Sequence, residues 1–230
     1  MPHARRQVQS RVTRLLARPG QPTNEVEPGL HALHLDEERD ALLYVPVGYR
    51  PHHPSPFVLS LHGAGGNQTS GLYPLHDLAD EAGLILLSPA SRGRTWDMIL
   101  GQFGPDIAFI GRALGATFDR CAIDPARMGI AGFSDGASYA LSVGIANGDL
   151  FSRVMGFSAG FTVPAGQLGE PRIFISHGTR DAVLPIDRTS RHIVPELLDA
   201  GYDVTYREFD GGHTVPHEVA REGVSWFLAR

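Results

Sequence analysis

Two stretches of this chain have the pattern Gly-x-Ser-x-Gly: Gly132-Phe133-Ser134-Asp135-Gly136 and Gly156-Phe157-Ser158-Ala159-Gly160. Such a pattern can set a serine on a tight turn from strand to helix, where small residues at ±2 relieve crowding and the hydroxyl stands free to attack. The flanks separate the two. Arg127 to Ala131 reads as a strand and Ala137 to Asn147 as a buried, Ala-rich helix, so Ser134 has both neighbours the turn requires. Ser158 also follows a strand, but Phe161 to Gly166, with Pro164 inside, cannot form the helix it would need. Ser134 is the expected nucleophile, and Ser158 a small residue at a strand end.

A serine hydroxyl needs a base, and the base needs an acid that fixes its tautomer. His213 lies in Asp210-Gly211-Gly212-His213-Thr214, after the last strand and before the last helix, where two glycines let the chain turn an imidazole over the sheet. His217, the rival base, falls within that helix. Together the two make a His-x-x-x-His pattern with no third ligand, so no metal is expected. The acid should follow the preceding strand, Arg172 to Ser176. Asp181 closes the loop there, with Asp187 and Asp210 as alternatives. Attack by serine creates an oxyanion that needs preorganised N–H donors. One is the backbone N–H of Asp135. The other is expected from the glycine-rich turn His62-Gly63-Ala64-Gly65-Gly66-Asn67, at Ala64. Trp96 and Met98, in the loop Arg92 to Met98, are candidates for lining a substrate pocket. The alternative for them is an apolar cluster under a loop. Asp106 reads as a cap of the next helix.

These residues must be carried by elements. Gly29 to Leu35 and Ala41 to Val47 suggest an antiparallel hairpin at a sheet edge, joined by the acidic turn Asp36 to Asp40. After the breaker-rich loop Tyr49 to Pro56, short apolar runs begin at Phe57, Leu84, Met128, Val154 and Ile173, with Val204 to Phe209 as a last strand. Helical spacing recurs between them at Ile107, Ile110 and Leu114, and at Ile193, Val194, Leu197 and Leu198, where Pro195 should kink or delay the helix. Thr214 is a plausible cap of the final helix. Strand and helix in alternation imply an α/β fold, a mostly parallel sheet with helices on both faces. Ligands of such sheets bind at the carboxyl ends of the strands.

Composition narrows the functions. The 230 residues suit one domain, with 1–28 expected to be loosely ordered. A 42% apolar and 20% charged content is that of an ordinary globular protein, and a net charge of −5 points to no nucleic-acid partner. All 20 basic residues are Arg, which removes the P-loop lysine, the Schiff-base lysine and the Ser-x-x-Lys nucleophile at once. The single cysteine, Cys121, allows no intrachain disulfide and reads as a small buried apolar residue. No apolar run is long enough to span a membrane. The first twenty residues carry five Arg and no acid, but no apolar core of a secretory signal follows them. An organellar transit peptide is the minor reading, and a cytoplasmic location is the expectation.

Together, Leu61-His62-Gly63, Gly129 to Gly136, His177 to Asp181 with Val183-Leu184-Pro185, and Gly211-Gly212-His213 resemble the phospholipase/carboxylesterase branch of the α/β-hydrolases, close also to dienelactone hydrolase-like proteins. The resemblance runs from about Phe57 to the C-terminus. It implies a single-domain esterase that needs no cofactor and acts on a small-molecule ester, with Ser134, Asp181 and His213 as its triad. A homo-oligomer is compatible with it. One position departs: acyl-protein thioesterase-like members commonly carry Gln after the nucleophile, and here Asp135 stands there. The interval Phe161 to Glu170 is too short and too rich in breakers for a helical lid, so an open site for soluble, short-acyl esters is expected. The rivals are a serine peptidase or acyltransferase with the same triad, and a non-catalytic binding protein on the same scaffold.

Overall fold

The apolar runs become strands of one eight-stranded sheet, seen in a computed structural model that describes residues 13–100 and 104–229. In chain order the elements are β1 (Gly29–Ala32), β2 (Ala41–Val45), β3 (Ser55–Leu61), α1 (Gln68–Leu72), α2 (His76–Ala82), β4 (Ile85–Pro89), α3 (Pro105–Phe118), β5 (Ile123–Phe133), α4 (Asp135–Ala146), β6 (Arg153–Phe157), β7 (Arg172–Gly178), α5 (Ser190–Asp199), β8 (Val204–Phe209) and α6 (His217–Leu228). Across the sheet the order is β1-β2-β4-β3-β5-β6-β7-β8. β1 and β2 run antiparallel, and every pairing from β4 to β8 is parallel. The expected α/β architecture with an antiparallel edge is therefore present.

Side chains alternate across a strand, so each strand feeds two cores. Phe57, Leu59 and Leu61 pack into the larger cluster with Ile107, Ile110 and Leu114 of α3, Tyr139 and Leu141 of α4, and Ile193 and Leu197 of α5. Val58 points the other way, into a smaller cluster with Leu78 of α2 and Val219, Val224 and Phe227 of α6. The helix that follows Ser134 is the most enclosed, with every residue from Gly136 to Ala146 buried. An all-round buried helix is a rigid base for a turn at its N-terminus.

Three local expectations change. Pro195 does not delay its helix, which runs through it. It is the sixth residue of α5 and sits on the exposed face, where the lost N–H leaves nothing buried without a partner. The last helix starts at His217, with Pro216 as its extended cap residue and Thr214 outside it. Of the leading segment expected to be loose, residues 1–12 lie outside the described residues, Thr13 and Leu15 are docked, and residues 16–28 are exposed or half-buried. Leu15 is 1% exposed, and its N–H donates to the Asn147 side-chain oxygen at 2.9 Å. The Asn147 amide in turn donates to the carbonyls of Thr13 and Val143.

Candidate active site

Ser134 sits between β5 and α4 with φ 58° and ψ −122°, a backbone conformation that L-residues seldom adopt. Its neighbours must be glycine. A Cβ on Gly132 would lie 2.2 Å from the Gly136 carbonyl oxygen, and one on Gly136 would lie 2.4 Å from that of Leu61. Ser158 also has positive φ, 56°, which the sequence did not reveal. Its flanking glycines are under no such pressure, since a Cβ on Gly156 or Gly160 would meet side-chain carbons at an ordinary 3.4 Å. Ser158 is fully buried, no helix follows it, and its hydroxyl has no partner among the described residues.

The other two residues predicted for the triad converge on Ser134. His213 Nε2 is 2.9 Å from Ser134 Oγ, and His213 Nδ1 is 2.6 Å from Asp181 Oδ2. A carboxylate accepts only, so the proton of the ring lies on Nδ1 and Nε2 is left to accept from the serine. The Phe133 ring lies 4.7 Å from the imidazole, centroid to centroid. Asp181 Oδ1 accepts the N–H groups of Val183 and Leu184 at 2.9 and 2.8 Å. Burial pushes its carboxyl up, but the Leu184 N–H, the His213 ring and the Val183 N–H outweigh burial and hold it below the usual carboxylate range. The alternatives lie elsewhere: Asp187 pairs with Arg191, Asp210 with Arg180, and His217 is exposed at the start of α6.

A second histidine touches the same acid. His177, the penultimate residue of β7, is wholly buried, with Nε2 2.8 Å from the Leu184 carbonyl and 3.2 Å from Asp181 Oδ2. Nε2 therefore carries the proton, and Nδ1 accepts from the Ser190 hydroxyl at 2.5 Å. Burial lowers the pKa of His177 and favours this neutral form.

The glycine-rich turn after β3 approaches Ser134 closely, since a Cβ on Gly63 would lie 3.3 Å from that of Ser134. His62 shapes the turn. Its Nε2 accepts from the Ser91 N–H at 3.0 Å, so Nδ1 carries the proton and donates to the Gly63 carbonyl at 2.7 Å. Burial lowers the pKa of His62 to about 4. The Gly66 N–H donates to the same carbonyl, and the Gly65 N–H to the carbonyl of Arg94. In a trans peptide the Ala64 N–H points opposite to the Gly63 carbonyl. Neither it nor the N–H of Asp135 has an acceptor among the described residues.

Trp96 and Met98 belong to the apolar cluster under the loop, the alternative stated for them. Trp96 is fully buried and Met98 6% exposed, which leaves no surface for a substrate. Trp96 is instead a prop: its Nε1–H donates to the His62 carbonyl at 2.8 Å, and its ring stacks on Tyr139 at 5.0 Å. Asp106 does more than cap a helix, because it accepts the N–H groups of Arg92 and Asp97. Asp97 accepts the Tyr139 hydroxyl and ties the loop to α4. His62 and His177 went unassigned in the sequence, although both stand at a strand end directly before a glycine. That repeated His-Gly signal could have found them. Among the described residues no group of three His, Cys, Asp or Glu side chains is arranged to hold a metal ion, and no helix is long and apolar enough to cross a membrane.

No protein-family model matches the chain. Over 157 residues it is 27% identical to feruloyl esterase C of Emericella nidulans, covering 65% of this chain and 57% of the length of that relative. Among solved structures it is similar to an S-formylglutathione hydrolase from Staphylococcus aureus, with TM-score 0.70, 12% identity, and coverage of 91% of this chain and 100% of the other. It is also similar to a ferulic acid esterase from Anaeromyces mucronatus, with TM-score 0.67, 17% identity, and coverage of 94% and 98%. A Bacillus cereus carboxylesterase gives TM-score 0.62, 18% identity, and coverage of 84% and 94%. With the strand order, the parallel pairings and the buried helix behind the Ser134 turn, these likenesses establish the fold of the chain as that of the α/β-hydrolases.

Proposed function

We propose that this protein hydrolyses carboxylic esters through an acyl-enzyme intermediate. The observation that carries the reading is the unbroken relay from Ser134 Oγ through His213 to Asp181, at 2.9 and 2.6 Å. Ser134 Oγ attacks the ester carbonyl while His213 Nε2 takes its proton, and Asp181 stabilises the imidazolium without accepting that proton. The oxyanion lies between the N–H groups of Ala64 and Asp135, each such donor contributing about 3–4 kcal/mol to the transition state. His213 then protonates the leaving alcohol. Water, activated by the same Nε2, releases the acid and restores Ser134.

The substrate class follows from what covers the strand ends. Residues 161–171 form no helix, and Phe161 and Val163 stand exposed there. A long acyl chain gains about 0.8 kcal/mol per methylene only where it is buried, so the open site favours soluble esters of short acyl chain, roughly two to six carbons. The likeness to feruloyl esterase C adds compact aromatic acyl groups to the substrates to be tried.

An aryl organophosphonate should label Ser134 stoichiometrically. Ser134→Ala should lower kcat by about 10⁴–10⁶, and Ser158→Ala should stay within about tenfold. Labelling mapped to Ser158, or kcat/KM that climbs past about ten acyl carbons or jumps at a lipid emulsion, would reject the reading in its first or second half.

A further inference from the structure

The residue after Ser134 contributes its backbone N–H to the chemistry above, but its side chain has no part in those steps. Asp135 is half-buried, and its Oδ2 accepts the Thr95 hydroxyl at 2.6 Å. Thr95 belongs to the loop after β4, whose Arg94 carbonyl also holds the Gly65 N–H. The carboxylate is thus pinned on the β4 side of Ser134, next to the turn that carries Ala64. Among the described residues it forms no ion pair.

None of the cations in the neighbouring loops forms an ion pair with it: the half-buried Arg39 guanidinium donates to the Ser91 and Gly66 carbonyls. The Arg180 guanidinium, in the loop before Asp181, is taken by Asp210 at 2.5 Å, and the His213 ring faces Asp181 at 2.6 Å. Arg94 is exposed to solvent, where salt screens it strongly. A half-buried carboxylate is screened less, and it cannot move away from the reacting carbonyl while Thr95 and α4 hold it.

We propose that Asp135 is a specificity-determining residue, a fixed negative charge beside the ester carbonyl that turns away esters bearing a carboxylate or phosphate near the reacting group and admits neutral and cationic ones. The proposal rests on the ester-hydrolase reading. An acid in the first turn of a helix also stabilises that helix, but such a role scales the rates of all substrates together. A charge filter changes their ratio.

The test uses one series of acetate esters whose alcohol carries charge −1, 0 or +1: 4-acetoxybenzoate, its methyl ester, and 4-acetoxyphenyl-trimethylammonium. A second pair carries the charge on the acyl side: p-nitrophenyl hydrogen adipate against its methyl ester. In Asp135→Asn, which keeps the size of the side chain and an acceptor for Thr95, the neutral-to-anionic ratio of kcat/KM should fall about tenfold at low ionic strength in at least one series. The difference between the two proteins should shrink in 0.5 M salt, to within about threefold. A ratio unchanged by the substitution in both series, or a fall that salt does not reduce, overturns the proposal. The rate of Ser134 labelling by a neutral against a carboxylated aryl phosphonate gives the same ratio without ester turnover. A failure to hydrolyse esters is thereby distinguished from a failure of the charge filter.

Discussion

Asp181 gathers two backbone N–H groups on one oxygen and two imidazoles on the other. Asp181→Asn should keep the fold but lose about 10⁴ in kcat, because an amide can present its NH₂ to His213 Nδ1 and install the wrong tautomer. Stopped assays with matched circular dichroism would check this, and near-normal rates would hand the role to another acid. The buried histidines make a separate prediction about acid. His62 has its pKa lowered to about 4 in the folded chain, so the unfolded chain binds the proton first as pH falls. Its stabilising contribution is complete above the unfolded value and is lost progressively from about pH 6.5 down to about 4, by about 3 kcal/mol in all. His177 is shifted in the same direction. Asp181 acts lower, its contribution being lost as pH falls below the usual carboxylate range and through its depressed value. Urea unfolding at pH 7.5 and 4.5 should therefore show a smaller drop in His62→Gln than in the parent. Ser134, Asp181 and His213 were legible in the sequence because the chemistry proposed for them demands particular residue types at strand ends. His62 and His177 were not, because their roles are set by partners that only the fold supplies, Ser91 and Ser190.

Among the elements, the two Gly-x-Ser-x-Gly turns look alike in sequence and in the sign of φ at their serines, yet only one is sterically closed. Gly136→Ala should cost more than about 3 kcal/mol or prevent folding, since its Cβ meets backbone that cannot yield. Gly160→Ala should stay within about 1 kcal/mol, because its Cβ meets the tip of Leu184 and the Ser138 hydroxyl at ordinary contact distances. Equal thermal shifts for the two would refute the distinction. The loop after β4 makes a comparable prediction. Trp96→Phe keeps much of the stacking but leaves the His62 carbonyl without its indole donor, so it should lose about 1–3 kcal/mol in urea unfolding. Sequence periodicity found the inner strands β3 to β7 because each carries a short apolar run covered on both faces. It left Trp96 open between two readings, because a large apolar residue in a loop reads equally as a pocket wall and as a buried prop. Only the hydrogen bond to His62 and the stack on Tyr139 separate the two.

For the molecule as a whole, the docked leading segment matters most. The ion pairs of Arg14 and Arg18 with Asp149 are partly exposed and contribute little, whereas Leu15 is a core residue. Leu15→Ala should cost about 2–5 kcal/mol, measured by urea unfolding. A cost within about 0.5 kcal/mol would mean that the segment merely lies on the surface. Composition could not reveal this docking, because the burial of one leucine among arginines depends on Asn147, far along the chain. That distance governs the order of events in folding. Leu15 and Asn147 are 132 residues apart, so a ribosome must add more than half the chain before the first finds the second. In refolding, the long loop they close costs entropy that few local contacts offset, which makes docking a late step. Weakening the contact should then leave the folding rate almost untouched and appear as faster unfolding. A newly made chain would carry Thr13 and Leu15 undocked until the helix behind Ser134 is complete.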